Sequence, residues 1–387
     1  MTTKHHQSTD AVRTGLDSDT QHGAVVAPIY LSSTYTFAGL GERRPYDYSR
    51  SANPTRDALA ETLAKLEEAA GAVITSSGMA AVNLVCQLLK PDDVVIAPHD
   101  CYGGSYRLFD SLHKRGVLRV IFVDYSDDGN VQAALQHKPK LVWLETPSNP
   151  LLRITDIRNI AKLAHDKGAW VAVDNTFLSP VWQRPLTLGA DMVVHSTTKY
   201  LNGHSDVVGG AVVAATKELH EQLVWWANCT GVTGAPFDSY LTLRGVRSLH
   251  VRMAVHGSNA QQIAKLLSGH PAVKKVYYPG IATHPRHDIA RQQQSGFGAM
   301  VSFELHGSIN NVRAFLDGLH MFSLAESLGG VESLIAHPAT MTHAAMSEES
   351  RMKAGITDSL LRLSVGIEAF EDLKVDLEAA LERARIA

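Results

Sequence analysis

Three short stretches carry polar residues of the types that perform bond chemistry. Lys199 lies in VVHSTTKYLNGHSDVVGG (193–210), just past an apolar run and between Ser196, Thr198 and a glycine-rich return. Lysine seldom lies in apolar surroundings unless something pairs with it or uses it. Asp174 ends the run WVAVD, and a carboxylate placed there needs a partner. In TSSGMAA (75–81) the pattern passes from strand to helix through Ser76, Ser77 and Gly78. Gly78 has no side chain to shield the first helical N–H groups, so an anion can approach them. A buried amine condenses with a carbonyl, a buried carboxylate holds a cationic ring nitrogen, and an open helix N-terminus takes a phosphate. Each feature also has a plain structural explanation: a Lys199–Asp174 bridge, an aspartate helix cap, and N-capping by serine.

A helix N-terminus contributes only about 0.3–1 kcal/mol to an anion, so a phosphate needs further donors. Ser196 and Thr198 stand beside the lysine, and YDYSRSANP (46–54) offers Tyr48 and Arg50, which a solvated loop would explain equally well. Tyr102, in HDCYGGSY after a strand, is placed either to cover a flat ring or to fill a core. Amine, carboxylate, phosphate cup and aromatic plate together meet the needs of one cofactor, pyridoxal phosphate.

Seven apolar runs are predicted to position these groups: AVITS (72–76), DVVIA (93–97), LRVIFVD (118–124), KLVWLE (140–145), WVAVDN (170–175), DMVVHS (191–196) and VVGGAVVA (207–214). Helical patterns alternate with them. NPTRDALAETLAKLEEAAG (53–71) has Asn53 as cap, Pro54 at its first position and Gly71 at its end. GMAAVNLVCQLL (78–89), GSYRLFDSLHKRG (104–116) and TDIRNIAKLAHDKGA (155–169), with Thr155 as cap, follow. The expectation is an α/β fold with a mainly parallel seven-stranded sheet covered on both faces. Ligands bind beyond the carboxyl ends of such strands, where the residues singled out fall. A long helix (248–270) then leads to strands at VKKVYYP, GAMVSFELHG and LLRLSVGI and helices near 310–318 and 371–385, a smaller C-terminal α+β domain. The chain divides into an irregular N-terminal arm (1–58), a large domain (59–250) and a small domain (251–387).

Composition narrows the function. The 387 residues bury roughly 75% of their unfolded surface without staples. A net charge of −3 argues against nucleic-acid binding. No apolar run spans a bilayer, and MTTKHHQSTD has no signal-peptide core. Three unpatterned cysteines suggest reduced thiols in a cytoplasm. HPRHD (284–288) reads as a surface loop, and no metal site is expected.

From about residue 10 to the C-terminus the chain resembles the Cys/Met-metabolism family of pyridoxal-phosphate enzymes. DNTFLSPVWQRPLTLGADMVVHSTTKYLNGHSDVVGG (174–210) is the family's signature block. APHDCYGGSYRLFDSLHKRG, WWANCTGVTGAPFDSYLTLRG and FSLAESLGGVESLIAHPATMTH extend the likeness. The resemblance implies a fold-type-I pyridoxal-phosphate transferase, assembled as a homotetramer of two dimers with active sites shared across each dimer. Lys199 then matches the lysine that bonds the cofactor, Asp174 the partner of the ring nitrogen, and Tyr102 the stacking tyrosine. Gly78, Met79, Ser196 and Thr198 match the phosphate cup, with Tyr48 and Arg50 lent by the neighbouring subunit. Arg362, Asn149 and Ser327 match the site for the substrate's α-carboxylate, Glu326 a residue of members that handle cystathionine, and Asp47 and Arg107 contacts to the distal part of the substrate. The implied substrates are small amino acids. The implied reaction replaces the acyl group of O-succinyl- or O-acetyl-L-homoserine with L-cysteine to give L-cystathionine, in methionine biosynthesis by transsulfuration. Ser51 stands where some members carry a second arginine, which leaves the acyl group open between succinyl and acetyl. The rival within the family is γ-elimination of cystathionine, alone or alongside. Outside it stand a nucleotide-binding domain, for which no GxGxxG follows a strand, and a non-catalytic structural relative.

Overall fold

A computed structural model describes residues 5–344 and 348–387, so the first four residues of the predicted arm lie outside the described residues. All seven predicted strands form: β1 (Gly71–Thr75), β2 (Val94–Pro98), β3 (Arg119–Val123), β4 (Leu141–Glu145), β5 (Trp170–Asp174), β6 (Met192–His195) and β7 (Gly210–Ala214). They make one sheet in the order β1-β7-β6-β5-β4-β2-β3. β7 is antiparallel to both its neighbours, and β6-β5-β4-β2-β3 run parallel. The helices before and between them include α1 (Gln7–Arg13), α2 (Pro54–Glu67), α3 (Gly78–Cys86), α4 (Gly103–Lys114), α5 (Asp128–Leu135) and α6 (Ile157–His165), and a short helix (Ser179–Trp182) and a 3-10 turn (Pro185–Leu188) join β5 to β6.

Alternation along the strands decides which helices each side chain meets. Leu141 and Trp143 of β4, Ala172 of β5 and Val194 of β6 share a core with Val82 and Val85 of α3 and Phe109 of α4. Val142, Leu144, Val171 and Val173 face the other way, onto Val131 and Leu135 of α5 and Ile157 and Ile160 of α6. Glu145 and Asp174, in step with Trp143 and Ala172, therefore point to the α3 side. His195 points to the opposite side, where its Nε2 meets Glu67 Oε1 of α2 at 2.7 Å.

The helix Leu249–Ser268 leads into a second sheet of β8 (Val273–Tyr277), β9 (Met300–Leu305), β10 (Ser323–Leu324), β11 (Leu334–Ala336) and β12 (Leu360–Ser364), in the order β10-β11-β12-β9-β8. Phe303, Phe315, Leu363, Leu377 and Leu381 pack there in a core continuous with Leu59, Leu63 and Leu66 of α2. Among the described residues no helix is long and apolar enough to cross a membrane.

Several expectations are corrected. Helix α2 stops at Glu68, which takes the left-handed conformation (φ 57°), while Gly71 opens β1. Asp156, not Thr155, caps α6 by accepting from the Asn159 N–H at 3.0 Å; Thr155 donates its own N–H to Thr146 Oγ1. The arm is not wholly irregular. Helix α1 forms because Arg247 donates to the carbonyls of Ala11, Val12 and Thr14, a partner from 233–236 residues away. Within HPRHD, His287 begins a helix (His287–Gln293); its Nδ1 donates to the Pro279 carbonyl, and His284 Nε2 donates to the Leu152 carbonyl. Helices Lys217–Thr230 and Pro236–Arg247 have no counterpart in the sequence reading.

The Asn53 cap is borne out and reaches further than a cap. Its Oδ1 accepts from the Thr55 and Arg56 N–H groups, and its Nδ2 faces the Tyr30 carbonyl, Ser49 Oγ and Tyr35 Oη at 2.9–3.2 Å. Asn53→Ala is expected to lower stability by about 2–3 kcal/mol, since a cap and buried arm contacts go together. It should also speed proteolysis within residues 14–52. Denaturant unfolding and limited digestion measure both, and unchanged values would refute the role.

Candidate active site

The parallel register sets Glu145, Asp174 and Val194 level with one another at the ends of β4, β5 and β6. Lys199 follows in a turn closed by Lys199 N–H to the Ser196 carbonyl and Gly203 N–H to the Lys199 carbonyl. Arg252 pins that turn from the long helix, donating to the carbonyls of Tyr200 at 2.8 Å and Leu201 at 3.4 Å. Lys199 Nζ donates to Ser327 Oγ at 2.7 Å. Burial, and then the Arg362 guanidinium, lower its pKa to about 8, with Glu326 pulling the other way. Among the described residues no ion pair joins Lys199 to Asp174, which removes the simple bridge as an explanation. Asp174 Oδ1 accepts from the Thr176 N–H at 3.0 Å. Burial pushes its carboxyl up, opposed by the Thr176 hydrogen bonds and by His195.

The start of α3 lies beside this pair. Ser77 caps it by accepting from the Ala80 N–H, so capping by serine is real. That cap leaves the N–H groups of Gly78 and Met79 without a partner among the described residues. A methyl group at position 78 would lie 2.8 Å from Ser196 Cβ, so only glycine lets the helix start approach the Lys199 turn so closely. A methyl group at position 104 would lie 2.5 Å from the Tyr102 ring and 2.7 Å from Met79 Sδ, so these side chains meet over Gly104. Tyr102 is 44% exposed and is no core tyrosine. Thr198 Oγ1 is tied to Gly209, accepting its N–H at 3.0 Å and donating to its carbonyl at 3.2 Å.

Arg362 comes from the second sheet. β12 lies between β11 and β9, so Arg362 is buried at 2% exposure rather than standing on an edge. Its Nη1 donates to Asn149 Oδ1 at 2.8 Å and its Nη2 to the Ser327 carbonyl at 2.9 Å, while Nε has no partner among the described residues. Burial lowers its pKa to about 10, which leaves it a cation at neutral pH. Ser327 is held at φ 96°, a conformation non-glycine residues rarely adopt. Arg362 on its carbonyl and Lys199 on its hydroxyl hold it there.

Other expected residues lie apart. Tyr48 and Arg50 are exposed in the arm, with the Arg50 guanidinium 5.7 Å from the Tyr48 ring centre. Among the described residues no hydrogen bond or ion pair joins them to the Lys199 cluster. Asp47 pairs with Arg43 at 3.7 Å. Arg107, on α4, and Glu326 are exposed, Glu326 within electrostatic reach of Lys199 and Arg362. Glu145 was missed. It is 6% exposed, its Oε2 accepts from the Tyr102 N–H at 2.7 Å and its Oε1 from the Asn149 N–H at 3.2 Å. The signal was present, since it ends KLVWLE as Asp174 ends WVAVD.

Among the described residues, a half-buried amine with no paired carboxylate, a half-buried carboxylate with no paired cation and two helix N–H groups with no acceptor fit an aldehyde, a ring nitrogen and a phosphate. The chain matches the family model described as Cys/Met metabolism PLP-dependent enzyme over residues 8–382 and belongs to that family, so pyridoxal phosphate is its cofactor. It is 59% identical to cystathionine gamma-synthase of Escherichia coli strain K12 and 50% identical to cystathionine beta-lyase of Coxiella burnetii, over 98% of each chain in both cases. It is also similar to the crystal structure of cystathionine gamma synthase from Xanthomonas oryzae pv. oryzae in complex with cystathionine. There the identity is 61% and the TM-score 0.98, covering 99% of this chain and 100% of that one.

Without cofactor, the Lys199 amine is expected to react with an acylating reagent at a rate half-maximal near pH 8, against about 10.4 for an unperturbed lysine. A folded-state pKa below the ordinary one means the neutral amine appears at lower pH. Arg362→Ala removes a repelling cation and should move the midpoint upward. Peptide mass spectrometry of the modified protein reads both, and a midpoint near 10 in the parent protein would contradict the geometry.

Proposed function

We propose that the chain joins O-succinyl- or O-acetyl-L-homoserine to L-cysteine, giving L-cystathionine and the free carboxylic acid. The observation that carries this reading is the near-identity of fold and length to relatives named as gamma-synthases, at about three-fifths shared residues. When bound, pyridoxal phosphate supplies an aldehyde that takes amines and a pyridinium that draws electrons from the substrate's α-carbon.

The residues divide the remaining tasks. The N–H groups of Gly78 and Met79, with Ser196 and Thr198, take the phosphate. Asp174 keeps the ring nitrogen protonated, and Tyr102 covers the ring face and accepts a proton from the incoming amine. Arg362, with Asn149 and Ser327, binds the α-carboxylate; its fork suits two oxygens and its Nε is still free. Lys199 Nζ would hold the aldehyde. As a free amine it would take the proton from Cα, give it up, and only then take one from Cβ, work that its lowered pKa favours. The γ-acyloxy group leaves, the cysteine thiolate adds at Cγ, and Lys199 returns the protons. Glu326 and Arg107 line the distal end of the substrate, together with an Asp47 lent, like Tyr48 and Arg50, by a neighbouring copy.

Tyr48 and Arg50 act on a neighbouring copy in this reading. The arm is rich in exposed apolar residues, among them Val25, Leu31, Phe37 and Leu40, and lies apart from its own site. Two such dimers make the tetramer, and the three unpaired cysteines suit a cytoplasmic setting.

Lys199→Ala should abolish both the visible absorbance of the bound cofactor and turnover; normal turnover would refute the assignment. Arg362→Ala should raise KM for the acylhomoserine at least tenfold with a smaller change in kcat. Product analysis decides the reaction. Cystathionine from acylhomoserine and cysteine is expected, whereas rapid breakdown of cystathionine with no synthesis would make the chain a lyase.

A further inference from the structure

The carboxyl of Glu145 is the buried titratable group beside the site that this reaction leaves unused. It ends β4 in register with Asp174 and points to the same face. Both its oxygens are committed: Oε2 to the Tyr102 N–H at 2.7 Å and Oε1 to the Asn149 N–H at 3.2 Å. Neither donor is ordinary. Tyr102 sits at the N-cap position of α4 but makes no side-chain cap. Asn149 begins no helix, and its side chain accepts from Arg362 Nη1 at 2.8 Å. One carboxyl thus holds the backbone of the aromatic plate and, through Asn149, the guanidinium from the other sheet.

A carboxyl is a costly way to hold two amides. Burial and the adjacent Asp174 carboxylate push its acid form well up, and only the two N–H groups offset them. A hydroxyl or amide oxygen at the strand end could satisfy one amide without the charge. The two-oxygen group is required when two separate segments must be held at a set distance from each other.

We propose that Glu145 is a positioning residue that couples the cofactor's stacking tyrosine to the carboxylate-binding arginine, setting Tyr102 and the Asn149–Arg362 pair in one frame. It rests on the roles given above to Tyr102 and Arg362. Glu145 touches neither substrate nor cofactor and acts only through Tyr102 and Asn149.

Glu145→Gln keeps the shape and one accepting oxygen, so one of the two amides loses its partner. In the cofactor-free variant, amide hydrogen exchange at Tyr102 or Asn149 should quicken about tenfold or more. In the loaded variant, the visible circular dichroism of the cofactor should change, and KM for the amino-acid substrate should rise about tenfold with a lesser fall in kcat. The KM effects of Glu145→Gln and Asn149→Ala should combine to less than their product, because the two lie on one path. If Glu145→Gln does not fold, Glu145→Asp, which keeps both oxygens but draws them back by one methylene, is measured in the same way. Unchanged exchange at both amides, or unchanged dichroism and KM beside a lowered melting temperature, would overturn the proposal. Failure of the parent protein to turn over any acylhomoserine would instead count against the reaction, and the exchange result would stand by itself.

Discussion

Holding the Lys199 amine half-buried, with a hydroxyl rather than a carboxylate as its hydrogen-bond partner, is the constraint around which the rest is arranged. An ammonium placed against Asp174 would be stabilised as a cation and would be a poor base or nucleophile. Instead the amine donates to Ser327 Oγ, and burial and Arg362 disfavour its charge. At pH 7 about a tenth of such an amine is neutral, against about 0.04% of an ordinary lysine. The acid one strand away has its own anchor in Thr176, which leaves it free for a different cation.

That separation needs both sheets. The large sheet brings the acid, the amine and the start of α3 to one edge, as parallel strands with short returns do. Arg362 reaches that edge from the centre of the second sheet: its bond to Asn149 crosses from one sheet to the other, and its bond to the Ser327 carbonyl stays within the second. The unusual backbone at Ser327 is held by the same contacts that fix the amine. Backbone strain of this kind, of order 1–3 kcal/mol, persists where surroundings over-determine it. The continuous core joining α2 to the second sheet supplies the rigid support.

The strands were legible because each is a run of apolar residues bounded by turn formers, and β4, β5 and β6 each end in a residue that breaks the run. The cap at Asn53 was legible because capping is local chemistry. The end of α2 was not: Glu68 adopts a conformation that favours glycine, against the local rule, with Gly71 three residues further on. Helix α1 was missed because its last carbonyls are satisfied by Arg247, which no window of neighbouring residues contains. In the site, Lys199, Asp174 and Gly78 announce themselves as polar or bare positions at strand ends. Glu145 carries the same mark, but the chemistry legible in the sequence calls for one acid only.

Residue order by itself determined the alternation of strands and helices, hence a mainly parallel sheet, and therefore the edge at which Lys199, Asp174 and Gly78 had to gather. These follow from periodicity and from the handedness of the chain, which act over a few residues. Tertiary structure alone decided that the amine and the acid stay apart, that Arg362 is buried and points to Asn149, and that Tyr102 is exposed. Each depends on which atoms from distant segments come within about 3 Å, the range over which hydrogen bonds act and over which burial sets the cost of a charge.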